Sequence, residues 1–273
     1  MATRIVEPVV SGPISTRSSF ADDFRRLGLT SGDTVLVHSS LKALGWVCGG
    51  AEAVVLALLD VLSDKGTLVV PTFTAGNSDP SLWSKPPIPE EWWPIVRSHV
   101  PPFNIQTSST WRMGLISEMV RTWPGTLRSA HPQTSFAALG PNAKAITDGH
   151  AWECRLGDQS PLARLEELNA KVLLLGVGYD NCTSFHLAQY RIAEMPREKE
   201  SFAVITENGR EWVTVDDTAV PDNGFENLGE DFEKARTVCR RKVAAADARL
   251  FSIVDAVSYA LEWLPKHPPL SST

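Results

Sequence analysis

The sequence predicts an α/β fold: a single domain with a mixed central β-sheet flanked by helices, a long Pro/Trp-rich insertion and a late β-hairpin. Three observations predict it. The stretch from Asp33 to Phe73 reads as strand, loop, helix and returning strand, a complete βαβ unit. A second apolar strand, AKVLLLGVG, runs directly into helical spacing that begins near Asn181. Finally, SFAVITENGREWVTVDD holds two β-like runs around Glu-Asn-Gly, the signature of a hairpin.

The elements follow in order. DTVLVHSS, Asp33 to Ser40, is the first strand, and LKALGWVCGG is the loop after it. AEAVVLALLDVLSDKG is a helix stopped by Gly66, and TLVVPTF is the returning strand. From Thr74 to Thr110 proline interrupts any long helix, so this segment is a candidate lid. MGLISEMVRTWPG has helical spacing, and SPLARLEELN has a Ser-Pro helix start. After the hairpin, two helical stretches are expected, near Gly229 to Lys242 and Leu250 to Leu264. No linker divides the chain, so residues 1–273 are expected to form one domain, with 1–17 peripheral or flexible.

Composition narrows the function classes. A chain of 273 residues with 43% hydrophobic content can bury a large core. The amino-terminal residues lack the apolar core of a signal peptide, and no run approaches the roughly 18 apolar residues of a membrane span. A cytoplasmic protein without a membrane partner is expected. Cys48, Cys154, Cys182 and Cys239 have neither CxxC nor CxH spacing, so no zinc site or disulfide framework is indicated. A formal charge of −6 argues against a nucleic-acid partner and favours a cationic one.

The chemistry-bearing residues gather at the second strand-to-helix junction. Asp180 is placed as the N-cap of the following helix, with Thr183 and His186 three residues apart beyond it. Two readings compete: capping beside an ordinary packed histidine, or a histidine base supported by a carboxylate and a hydroxyl. His131, before a proline, reads as a structural turn histidine that could also line a cleft. HSSLKALGWVCGG is neither a Walker loop nor GxGxxG. Its Ser39, Ser40 and paired glycines suit an anion at a helix start, and suit a plain βα loop equally. No GxSxG elbow or HExxH pair is present.

The ordered set VHSSLKALG, RSAHPQTSFAALG, SPLARLEEL and LLLGVGYDNCTSFHLAQ resembles the aminoglycoside 3-N-acetyltransferase, or antibiotic acetyltransferase, family. The resemblance runs from about Phe20 to Asp255 and includes PPIPEEWWPIVR, which is typical of one branch; the GNAT signature is absent. It implies an acetyl-CoA-dependent enzyme, without a metal, that acetylates the 3-amino group of the deoxystreptamine ring and confers resistance. By the same resemblance His186 is the base, Thr183 lies near the thioester, and Asp180 orients or charge-balances the site. His38, Ser39, Ser40 and Leu41 would hold the pyrophosphate of acetyl-CoA, and Thr107, Ser108, Met113 and Gly114 would lie beside its pantetheine arm.

Two departures from the family pattern stand out. Gln189 replaces the glutamate of H-L-A-E, and TSSTWRMG replaces a T-P-T stretch before M-G. A polycationic substrate calls for carboxylates, and Asp79, Glu90, Glu91, Asp222, Glu226 and Asp231, with the Gln189 position, are the substrate-side candidates. The expected partner is an aminoglycoside or another cationic amine, such as a biosynthetic intermediate, bound by a monomer or homodimer.

Overall fold

Val35, Leu36 and Val37 are successive residues of one strand, and all three are fully buried, so that strand is covered on both faces. The computed structural model describes residues 14–267. In chain order its elements are helix α1 (Arg17–Leu27), strand β1 (Thr34–Ser39), α2 (Gly50–Leu62), β2 (Thr67–Pro71), α3 (Trp93–His99) and α4 (Gly114–Arg121). Next come β3 (Leu127–Arg128), β4 (Phe136–Leu139), α5 (Ala143–Thr147), α6 (Pro161–Glu167), β5 (Lys171–Leu175) and α7 (Ser184–Arg191). The chain closes with β6 (Arg197–Thr206), β7 (Gly209–Thr218), α8 (Phe225–Ala235), β8 (Cys239–Val243), β9 (Ala246–Ser252) and α9 (Ile253–Trp263).

Seven strands form a mixed sheet in the order β3-β4-β2-β1-β5-β9-β8. β1 lies parallel to both β2 and β5, and the outer pairings are antiparallel. The chain therefore leaves β1 toward β2 on one side and later returns to β5 on the other. This puts the carboxyl end of β1 at a topological switch point, where open α/β sheets bind ligands. Alternation along β1 and β5 feeds two cores. Val35, Val37, Leu173 and Leu175 pack with α1, α2 and α4, whereas Leu36, Val172 and Leu174 pack with α5 to α9. No helix among the described residues is long and apolar enough to cross a membrane.

The expected mixed sheet, flanking helices and hairpin are all present. The hairpin is longer than its sequence signal and stands apart as a two-stranded sheet. Residues 1–13 of the expected peripheral segment lie outside the described residues, while Ser15 forms a bridge to Val47 and Thr16 caps α1. The candidate lid is pinned to the hairpin: Asn77 exchanges hydrogen bonds of 2.8 and 2.9 Å with Ala203, and Arg210 donates to Val100 and Arg97 carbonyls.

One correction concerns the last quarter of the chain. The helix expected near Leu250 to Leu264 is present as α9, starting at Ile253, but the one expected near Gly229 to Lys242 is not whole: α8 ends at Ala235 and the antiparallel pair β8 and β9 follows. β8 is an edge strand whose exposed Cys239, Arg240, Arg241 and Lys242 carry no apolar alternation, and the alanines after it read as helix formers.

Candidate active site

The residues predicted from the second junction do converge, though not with the expected capping. After β5 the chain passes through Gly176, at φ 72°. A Cβ there would lie 2.6 Å from that of Ala43, so glycine lets the two switch-point loops touch. A 3-10 turn over Tyr179–Asn181 follows, and α7 begins only at Ser184. Asp180 therefore caps nothing; its carboxylate accepts from the Asn181 side-chain amide at 2.6 Å, at the exposed mouth of a cavity. The Tyr179 ring is clamped beneath that turn against Gly229, where any Cβ would fall 1.9 Å from the ring.

The cavity has a volume of about 250 Å³ and sits over the carboxyl end of β1. His38, Ser39, Thr183 and His186 line it from β1 and α7, and Phe73, Met113 and Ser117 form the opposite wall. Arg112, Asp180, Asn181 and Asp222 stand around its mouth. His38 Nε2 lies 3.3 Å from the Thr183 hydroxyl. Burial, reinforced by the neighbouring His186, pushes the His38 pKa down to about 3, so this imidazole is neutral.

His186 is held in one tautomer. Its Nδ1 lies 2.8 Å from Gln189 Oε1, and the Gln189 amide nitrogen donates to the Pro221 carbonyl at 2.7 Å. With the amide oriented in this way, Nδ1 carries the proton and Nε2 keeps its lone pair. Enclosure lowers the His186 pKa to about 4; the Gln189 bond opposes that shift, Arg155 adds to it, and Asp222 opposes it. At neutral pH the ring is therefore an uncharged base.

The other predicted positions divide. Met113 lines the cavity, and Gly114, at φ 82°, starts α4 beside it. Ser40 turns away: its hydroxyl accepts from the Ala43 amide and caps the short turn after β1, while Leu41 packs on the core. Thr107 and Ser108 bond to Asn104, and neither lines the cavity. That segment is anchored by buried Arg128, which donates to the carbonyls of Ile105, Ser108 and Thr72.

Among the substrate-side candidates, only Asp222 reaches the cavity. Asp79 is paired with Arg97, and Asp231 with Lys234 and the Trp263 indole. Glu226 accepts from the Tyr179 amide, Gln189 sits behind His186, and Glu90 and Glu91 are exposed on a 3-10 turn elsewhere. These placements correct the expectation that carboxylates in irregular segments border the pocket. Three of the six, Asp79, Glu226 and Asp231, are consumed by local bonds.

Arg112, Asn181 and Ser117 were missed. Arg112 adopts φ 58°, a conformation no sequence signal marks, and its guanidinium stands over the Trp111 ring, 5.8 Å from the centroid.

His131 is structural. Its Nδ1 accepts from the Gln133 and Thr134 amides, both at 3.1 Å, its Nε2 donates to the Trp152 carbonyl, and its ring packs 4.8 Å from that of His150. Burial holds the pKa of His131 well below its usual value and that of His150 at about 4. The unfolded chain, with histidines near 6.5, therefore binds more protons as pH falls below that value, and stability drops by up to about 1.4 kcal/mol per pH unit for each ring. A denaturant midpoint measured at pH 7 and pH 5 should fall at the lower pH, and less in a His150→Gln variant.

Comparison with known proteins gives a consistent picture. The family profile described as aminoglycoside 3-N-acetyltransferase matches residues 36–265. The prophage-derived aminoglycoside N(3')-acetyltransferase-like protein YokD of Bacillus subtilis is 42% identical over 91% of this chain and 92% of its own. Aminoglycoside N(3)-acetyltransferase VII of Streptomyces paromomycinus is 35% identical, over 93% and 92%. The YokD crystal structure superposes with a TM-score of 0.92 at 41% identity, over 94% of this chain and 96% of that one. AAC-IIIb in a binary complex with CoASH gives 0.82 at 29% identity, over 96% and 100%. AAC-VIa bound to sisomicin gives 0.83 at 28%, over 93% and 98%.

Proposed function

Because the chain belongs to the aminoglycoside 3-N-acetyltransferase family, we propose that it moves acetyl from acetyl-CoA to the 3-amino group of the 2-deoxystreptamine ring of aminoglycosides, giving resistance in the cytoplasm. One observation carries the mechanism: a neutral His186 whose tautomer is fixed by Gln189, leaving Nε2 as the basic nitrogen of a ring that lines the cavity. The thioester supplies the acetyl group, and the complexes of relatives with CoASH and with sisomicin support both ligands.

An ammonium has no lone pair, so the neutral amine attacks. His186 Nε2 takes the proton that nitrogen sheds as the N–C bond forms, then returns it to the departing sulfur. No covalent enzyme intermediate is needed, since direct attack requires only that both ligands be held together. Thr183, beside His38, faces the reacting atoms, and Asp180 and Asp222 give the mouth negative charge for a cationic acceptor. Arg112 and the amino end of α4 offer positive potential to the phosphates of CoA.

Arg112 also favours a second reading, in which the acceptor is an amine metabolite of lower charge, because a guanidinium at the mouth repels a polycation. Release of CoA thiol, measured with gentamicin, kanamycin, apramycin and simple amines, separates the two. Faster turnover of the aminoglycosides supports the first reading, and preference for simple amines overturns it.

Replacing Gln189 with glutamate tests the base. A carboxylate at Nδ1 stabilises the imidazolium, so the His186 pKa rises and the acidic limb of the kcat/KM profile moves to higher pH than in the parent. An unmoved limb would remove His186 from the proton transfer.

A further inference from the structure

The two serines after β1 have different surroundings, although the sequence presents them as one pair. Ser40 is occupied by its capping bond to Ala43. The Ser39 hydroxyl oxygen is buried, lines the catalytic cavity and has no hydrogen-bond partner among the described residues. A buried hydroxyl left without a partner costs free energy, so its retention at a ligand site calls for a partner that arrives with the ligand.

Its place in the sheet says which part of the ligand that is. Side chains alternate along β1, so Ser39 shares the face of Val35 and Val37, which pack with α4, and His38 shares the face of Leu36, which packs with α7. The cavity straddles this strand end. His186 and Thr183 approach from the α7 side, whereas Ser39, Met113 and Ser117 close the α4 side, where Gly114 packs over the Ser39 carbonyl. An amine that hands its proton to His186 as it attacks sits on one side of the strand end, which leaves the α4 side, with the Ser39 hydroxyl, for the thioester and its carbonyl oxygen. The positive end of α4 opens on that same side.

We propose that the Ser39 hydroxyl is the oxyanion donor of the acetyl transfer. This rests on the acetyl-CoA reading above and deepens it. As the amine nitrogen bonds to the carbonyl carbon, the C=O π pair moves onto oxygen, which receives the Ser39 O–H hydrogen bond. The nitrogen proton passes to His186 Nε2. Collapse restores C=O, breaks the C–S bond and releases the thiolate, which takes the proton from His186.

Ser39→Ala tests this with three readouts. The variant should lose about 10²-fold in kcat, as removal of a single oxyanion donor does. The KM for acetyl-CoA and the Kd for CoA should stay at parent values. With ¹³C-labelled acetyl-CoA bound and no amine present, the infrared carbonyl band should lie at lower frequency in the parent than in the variant, because only the parent polarises that bond. A raised KM with kcat unchanged would make Ser39 a binding group and overturn the proposal, as would an unshifted band. Failure of the parent to bind acetyl-CoA would overturn the reading beneath it, and the role of Ser39 with it.

Discussion

His186→Ala is expected to lower kcat/KM for an aminoglycoside by about 10²- to 10⁴-fold, the usual contribution of a positioned general base. The expectation rests on three features of one ring. Enclosure keeps it neutral, with a pKa of about 4. Gln189 holds the proton on Nδ1, so the basic nitrogen is Nε2, and the ring lines the cavity beside Thr183. Phe225 packs 4.8 Å from the ring and fixes its plane. The rest of α7 is held by Phe185, Leu187 and Ala188, all fully buried, so the variant should fold and keep its affinity for CoA. Calorimetric CoA binding beside thiol release separates chemistry from folding. Near-parent turnover in the variant would contradict the mechanism.

Arg155→Ala should have the largest effect on stability, a loss of about 3–5 kcal/mol. The Arg155 guanidinium, 10% exposed, pairs with Glu200 (11%) and stands 3.9 Å from Asp217 (1%). Glu198 also pairs with it but is 45% exposed and contributes less. Asp217 further accepts from Tyr190 at 2.8 Å and from the Arg155 amide at 3.0 Å. The cluster joins the hairpin strands β6 and β7 to the end of α7. Truncation leaves two buried carboxylates without their cation, which costs far more than the pair contributes when intact. Urea unfolding of parent and variant measures the difference. A loss below about 1 kcal/mol would mean that the carboxylates are solvated.

Both expectations depend on features of unequal visibility in the sequence. The βαβ unit was legible because VLV and LVV are buried on both faces and glycines bound the helix between them. The strand before Gly176 and the hairpin around Asn208 were legible for similar local reasons. β8 was not, because an edge strand guarded by Arg240, Arg241 and Lys242 hides its alternation. At the site, His186 stood out by its position at a strand-to-helix junction.

Its partner was marked only by the resemblance, as the Gln189 that replaces the glutamate of H-L-A-E. Asp180 has the more suggestive chemistry, yet Gln189 holds the ring. The available signal was spacing, since residues three apart on a helix share a face. The contrast between Ser39 and Ser40 could not be read from adjacent identical letters. It arises where strand alternation ends and the chain turns into a capped loop.

The position of acetylation separates this chemistry from transfer to any other amine. Incubating the purified chain with acetyl-CoA and sisomicin, then locating the acetyl group by two-dimensional nuclear magnetic resonance, tests it most directly. A single amide on the 3-amino nitrogen of the deoxystreptamine ring is expected. Acetylation at another nitrogen, or none while a simple amine is turned over, would contradict it.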